Sequence, residues 1–278
     1  MKIGFHVSIS GSIDKAVDKA RAENYNTFQI FTRNPRVWRV IPLNSLEVER
    51  FRVKVKRYGI NPIFGHMPYL PNLASSRDSV YKRSMESLTI ELERCVKLRI
   101  PYLVTHLGSH LGMGKAFGRR RIIGAINDSF SKIKGDIILC LENTAGTRNS
   151  MGSSFEDIKK VVDGIIHDDR IGVCFDTCHA FAAGYDLRTE QAVNTVIEKF
   201  EEVLGWDRLK VVHLNGSKGD LNAHKDRHEH IGLGKIGMDG FRNILHSKFQ
   251  EIPLILETPL DEEKRNLENL KKVRELMR

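Results

Sequence analysis

Six short apolar runs in this chain each end in an imidazole or a carboxylate. His66 follows NPIFG, His106 follows YLVT, Glu142 follows IILCL, Asp176 follows IGVCF, His213 closes LKVVH and Glu257 follows IPLIL. Groups of these two kinds are ligands for zinc and neighbouring divalent metals. A lone histidine at a strand end is ordinarily a hydrogen-bonded structural residue, but six such positions in succession are hard to explain by packing. Three further candidates flank the set. His179 stands three residues past Asp176, about one helical turn on. Asp226 and His228 are two positions apart, so in an extended segment their side chains point the same way and can chelate one ion. Nine ligands are too many for one tetrahedral ion and suit two or three ions with open positions. The four carboxylates among the nine, gathered in one partly buried mouth, would raise each other's pKa unless cations neutralised them. Three divalent cations would leave a positive surplus, which suits a phosphodiester anion and hydrolysis rather than redox chemistry.

Convergence of these groups needs a scaffold. Eight apolar runs, at 3–7, 27–31, 61–65, 102–105, 137–141, 171–175, 209–213 and 252–256, alternate with amphipathic or charged stretches such as 79–98 and 154–166. Ser154 followed by Asp157 resembles a capping box at a helix start. Several runs are apolar on both faces, as in a parallel sheet covered by helices. The pattern predicts a (β/α)8 TIM barrel over 1–278, a single catalytic domain, in preference to an open doubly wound sheet. Parallel strands all point one way, so the six strand-end residues would ring one opening. Two connections rich in Gly, Lys and Arg, 108–121 and 215–237, follow strands and belong on that same face.

Net charge is +9 and the pI about 9.4, which favours a polyanionic partner, although solubility alone also explains such charge. No apolar run approaches a membrane span, and MKIGFHVSIS reads as a first strand rather than a signal peptide, so a cytoplasmic protein is expected. Cys95, Cys140, Cys174 and Cys178 form no CxxC pair and read as small core residues of a reduced protein.

The motifs HLGSHLG (106–112), LENTAG (141–146), VCFDTCHAFAAGYD (173–186), VVHLNGSK (211–218) and KDRHEHIG (225–232) resemble, in this order, the endonuclease IV family, or AP endonuclease family 2. The resemblance runs from GFHVSISGS to LILET, nearly the whole chain. It implies three Zn2+ ions, with Mn2+ replacing part of the zinc, and no organic cofactor. One ion would be held by His66, His106 and Glu142, a second by Glu142, Asp176, His213 and Glu257, and a third by His179, Asp226 and His228. The implied reaction is hydrolysis of the phosphodiester 5′ to an apurinic/apyrimidinic site in double-stranded DNA, leaving a 3′-hydroxyl, together with trimming of blocked 3′ ends. The expected catalytic residues are Glu142 and Glu257, the latter orienting or deprotonating the nucleophile. By the same resemblance Arg36, Val37, Trp38, Tyr69 and Leu70 enter the duplex at the lesion. Arg119, Arg120 and Arg121 suit either phosphate contacts or a solvated helix start. A monomer suffices for contact on one face, and no membrane is involved.

Three positions depart from the family pattern: Val37 in place of Gln, Gly216 in place of Asp and Leu233 in place of Glu. None is a proposed ligand. His6, at the end of the first strand, is expected beside the mouth as support. A sugar isomerase or epimerase on the same barrel is the rival reading, and the His179, Asp226 and His228 set argues against it because a sugar site needs no third ion. A non-catalytic binder of damaged DNA is disfavoured by the complete ligand set.

Overall fold

The eight apolar runs form strands because their branched and aromatic residues pack well on a pleated surface. The computed structural model describes residues 1–259 and 263–278. Its strands are β1 (Ile3–Phe5), β2 (Phe28–Phe31), β3 (Ile63–His66), β4 (Tyr102–His106), β5 (Ile138–Glu142), β6 (Ile171–Asp176), β7 (Leu209–His213), a short hairpin of β8 (Gly216–Ser217) and β9 (His228–Glu229), and β10 (Leu254–Leu256). Apart from the hairpin they form one parallel sheet among the described residues, ordered β1-β10-β7-β6-β5-β4-β3-β2. The two ends of that order meet through a single parallel bridge between His6 and Gln29, where the Val7 amide donates to the Gln29 carbonyl at 2.7 Å. The sheet thereby closes into the expected barrel.

Helices α1 (Lys15–Ala22), α2 (Ser45–Tyr58), α3 (Asp78–Leu98), α4 (Lys115–Lys132), α5 (Phe155–Val162), α6 (Thr177–Ala182), α7 (Glu190–Leu204), α8 (Gly237–Leu245) and α9 (Glu263–Leu276) follow the strands. Several begin at side-chain caps: Asn44 accepts from Leu46 N and Glu47 N, Thr189 from Ala192 N, and Ser154 from Asp157 N at 3.2 Å. Only half of the expected capping box forms, because the Asp157 carboxylate pairs with Lys115 at 2.6 Å instead. The helix expected over 154–166 ends at Val162. The connection expected to stay irregular over 108–121 does so only to Gly114. Gly112 and Gly114 adopt positive φ, and the helix-favouring KAFGRRR then opens α4. Arg121 is held within this outer layer, over the Tyr81 ring at 4.2 Å and paired with Asp78.

Two apolar layers result. Residues such as Leu103, Leu141, Phe175 and Leu256 fill the space between strands and helices, while Phe64, Val104, Cys140, Cys174, Val211 and Ile255 pack inside the barrel. Each member of the inner plug lies two residues before a strand-end candidate: 64 before His66, 104 before His106, 140 before Glu142, 174 before Asp176, 211 before His213 and 255 before Glu257. The two-residue period of a strand therefore turns all six polar groups inward, one layer above a dry floor. All four cysteines are buried and free, and Cys140 and Cys174 belong to that floor.

The outer ring is joined at α1 and α2 by Asp14. It is buried and accepts from Lys54 Nζ at 2.8 Å and Arg50 Nε at 3.2 Å. Burial would raise this carboxyl's pKa, but the two cations reverse that and hold it well below the usual range. Such a group stabilises the fold above its unfolded pKa of about 3.9, and the contribution fades as pH falls through the lower folded value. In urea unfolding at pH 7, Asp14→Asn is expected to cost about 1–3 kcal/mol. The gap should shrink below about pH 3; a gap of the same size there would contradict the assignment.

Candidate metal centre

All nine sequence candidates come together at the C-terminal mouth of the barrel. Among the described residues their ligand atoms fall into groups in which every atom lies within 4.8 Å of the others: His66 with His106 and Glu142; Glu142 with Asp176, His213 and Glu257; and His179 with Asp226 and His228. Strand register explains much of this, since His106 pairs with Glu142 across β4 and β5, and Asp176 with His213 across β6 and β7. Asp176 also caps α6, accepting from His179 N at 2.7 Å, which turns that ring toward the mouth. The β8–β9 hairpin brings His228 back over the opening. A Cβ at Gly216 would lie 2.7 Å from the His230 carbonyl and 2.8 Å from that of Glu229, so a side chain there would require the hairpin backbone to shift. This accounts for glycine at one of the three departing positions.

Ring nitrogens in the mouth are fixed by groups that can only accept. Nδ1 of His66 donates to the Met67 carbonyl at 2.7 Å, Nδ1 of His179 to the Asn143 carbonyl at 3.0 Å, and Nδ1 of His228 to the Glu257 carbonyl at 3.1 Å. Each ring then turns its Nε2 toward carboxylate oxygens. His66 Nε2 is 3.2 Å from Glu142 Oε2, and His179 Nε2 is 3.2 Å from Asp226 Oδ1. His228 Nε2 stands 3.5 Å from Asp226 Oδ1 and 3.7 Å from Asp176 Oδ2, buried and without a hydrogen-bond partner among the described residues. Two lone pairs cannot face each other at such distances without positive charge between them. Ligands of one tetrahedral zinc are spaced about 3.3–3.7 Å apart. The donor set therefore fits divalent cations.

Electrostatics point the same way. Burial would raise Glu142, Glu257 and Asp226, yet surrounding imidazoles hold Glu142 and Glu257 well below the usual carboxylate range and bring Asp226 to about 2. Burial would depress His179, but Asp176, Asp226 and Glu142 outweigh it and raise that ring well above its ordinary value. A field that draws protons onto buried rings also draws metal ions, which displace those protons on binding.

Three buried amides at the mouth escaped sequence reasoning. Asn143 accepts from Asp176 N at 2.7 Å, and Asn215 donates to Asp176 Oδ2 at 2.7 Å while accepting from Glu257 N at 2.8 Å. Both stand one or two residues after a ligand, a cue that was available. Gln29 donates to Glu257 Oε1 at 2.6 Å and lies 2.9 Å from His213 Nε2; its cue was a polar residue inside an apolar run. His6 sits beside it, with Nδ1 3.0 Å from Glu257 Oε1.

Two loops border the mouth. The segment after β2 carries Arg36 and Val37, both exposed, and Trp38, half-buried with its ring 4.3 Å from the Arg83 guanidinium. After β3, Tyr69 (65% exposed) and Leu70 (38%) project outward. The loops are joined, since the Tyr69 amide donates to the Pro35 carbonyl at 3.2 Å and the Tyr69 ring meets Phe31 edge-on at 5.0 Å. From beneath, the buried Arg33–Glu91 pair at 2.6 Å and the Arg94 bonds to the carbonyls of Thr32 and Ile41 fix the first loop to α3. Between loops and ligands lies a cavity of about 570 Å3, lined by His6, Arg36, Tyr69, His106, Asp226 and Glu257 among others.

Residues 17–278 match the model of a family described as a xylose isomerase-like TIM barrel. A probable endonuclease 4 of Methanoculleus marisnigri is 52% identical over 276 residues, covering 99% of this chain and 98% of that protein. The chain belongs to the endonuclease IV family. Another family member, a probable endonuclease 4 of Nitrosopumilus maritimus, is 46% identical over 278 residues, with 99% of both chains covered. The crystal structure of endonuclease IV from Thermus thermophilus superposes with a TM-score of 0.89 at 33% identity, covering 100% of this chain and 99% of that one. Among the described residues of this endonuclease IV family member, no helix is long and apolar enough to cross a membrane.

Asn215 offers a test of how the ligands are held. Asn215→Leu would leave the buried Asp176 oxygen and the Glu257 amide without partners, at a cost on the order of 2–4 kcal/mol. Urea unfolding of the metal-free variant should show this loss; a change within about 0.5 kcal/mol would mean that Asn215 does not hold them.

Proposed function

We propose that this protein is a zinc-dependent DNA-repair endonuclease that hydrolyses the phosphodiester 5′ to an abasic site in duplex DNA, leaving a 3′-hydroxyl, and that also trims blocked 3′ ends. The observation that carries this reading is the convergence of three His/Asp/Glu groups beneath an exposed wedge of Arg36, Val37, Tyr69 and Leu70. His66, His106 and Glu142 would hold one ion, Glu142, Asp176, His213 and Glu257 a second, and His179, Asp226 and His228 a third, zinc being the expected metal and manganese a partial substitute. Bound there, zinc supplies Lewis-acid stabilisation of phosphoryl charge and brings the deprotonation of water near neutral pH.

The remaining work falls to the chain's own groups. Glu142 lies within reach of four imidazoles and is the natural carboxylate for two ions to share. Glu257 has Oε1 occupied by Gln29 and His6, while Oε2 faces the His213 ring at 3.2 Å. That second oxygen would reach the second ion, and from there the carboxylate would orient or deprotonate an attacking water. Tyr69 and Leu70 would enter the base stack together with Arg36 and Val37, and Trp38, packed on Arg83, would prop the loop that carries them. Opening a stack costs a few kcal/mol, and less where a base is already missing, so the wedge selects abasic DNA. The net charge of +9 favours the phosphate backbone, and contact on one face needs only a monomer.

The test is a nicking assay on a duplex carrying one abasic site. Cutting should stop with a chelator and return with Zn2+. Glu257→Ala should cut about 10²–10⁴-fold more slowly while still binding the duplex. Chelator-resistant cutting, or turnover of a ketose sugar without DNA cleavage, would overturn the reading.

A further inference from the structure

We propose that Gln29 is a positioning residue that decides which ring nitrogen of His213 faces the metal and locks Glu257 beside it; this rests on the metal-centre reading above. Gln29 is fully buried in β2, and its side chain points into the barrel at the β1–β2 seam. Its two polar atoms meet two different ligands: Nε2 is 2.6 Å from Glu257 Oε1, and Oε1 is 2.9 Å from His213 Nε2. A carboxylate only accepts, so the NH2 end of the amide must face Glu257. The carbonyl end is then left for His213, and a carbonyl likewise only accepts. His213 therefore carries its proton on Nε2 and presents a lone pair at Nδ1.

That nitrogen is the one aimed at the ligand cluster, 3.1 Å from Glu142 Oε1 and 3.2 Å from Glu257 Oε2. The rings of His66, His179 and His228 obtain the corresponding fix from backbone carbonyls, whereas His213 depends on a side chain. One carboxamide thus orients an imidazole and a carboxylate of the same group across the seam that a single backbone bridge closes. His6 packs against the arrangement, its Nδ1 3.0 Å from Gln29 Nε2. Outer partners of this kind commonly set metal affinity within about 10–100-fold.

The test uses the zinc-loaded full chain. In the wild-type protein, long-range 1H–15N correlation spectra of the histidine rings should show His213 protonated at Nε2. Gln29→Leu keeps the bulk and removes both hydrogen bonds. By chelator competition it is expected to lose about 10–100-fold in affinity for one zinc of the set, with the other sites little changed. Its His213 signals should also move toward a mixture of tautomers. A wild-type ring protonated at Nδ1, or a Gln29→Leu protein with unchanged zinc affinity and ring signals, would overturn the proposal. If the variant does not fold, the wild-type ring spectrum decides. A wild-type protein that takes up no zinc would overturn the metal-centre reading itself, and so separates the two failures.

Discussion

Four imidazoles surround one buried carboxylate. His213 lies 3.1 Å from Glu142, His66 3.2 Å, and His106 and His179 3.4 Å each. Taking ionisable groups out of water costs several kcal/mol apiece unless opposite charge compensates them. This cluster is tolerable only as a balanced whole, with protons or metal ions supplying the positive charge. The rest of the barrel serves that balance. Six strands end within the same layer, the plug beneath them keeps water from the floor, the Asn143 amide pairs with the backbone of Asp176, and Asn215 and Gln29 satisfy carboxylate and imidazole atoms that ions would leave free.

The two loops that border the mouth are mechanically continuous with that layer. Phe31, the last residue of β2, packs edge-on against both His66 and Tyr69, and the Tyr69 backbone is tied to Pro35 in the neighbouring loop. The Arg33–Glu91 pair anchors the same loop from below, with both partners buried and with Thr32 and Ser87 completing their hydrogen bonds. Breaking such a pair leaves an unpaired buried charge, so the loop is held in one place rather than free to sample. The proposed wedge would benefit from this rigidity on entering a base stack, because little ordering would remain to be done on binding.

Much of this was legible in the chain itself. The alternation of eight apolar runs with helical stretches predicts the barrel, the chemistry at the strand ends gathers six candidates, and the spacing of His179 from Asp176 and of Asp226 from His228 adds the other three. What the period cannot report is which partner a side chain finds across the barrel. Gln29 lies 184 residues before His213 and 228 before Glu257, and its role exists only once the ring closes. The placement of Trp38 against Arg83, on a different β/α unit, is of the same kind. A local signal misled where a tertiary partner competed, since Asp157 left its capping box for Lys115, whereas Arg119, Arg120 and Arg121 took the helical alternative, in the first turns of α4.

The central claim is that cations sit in three groups where the nine side chains converge, and anomalous diffraction at the zinc edge tests it most directly. Crystals of the purified, unsupplemented protein should give three peaks, one within each group, about 2.0–2.3 Å from the named nitrogen and oxygen atoms. Fully active protein that shows no peak in the mouth, or peaks lying only outside it, would contradict the account.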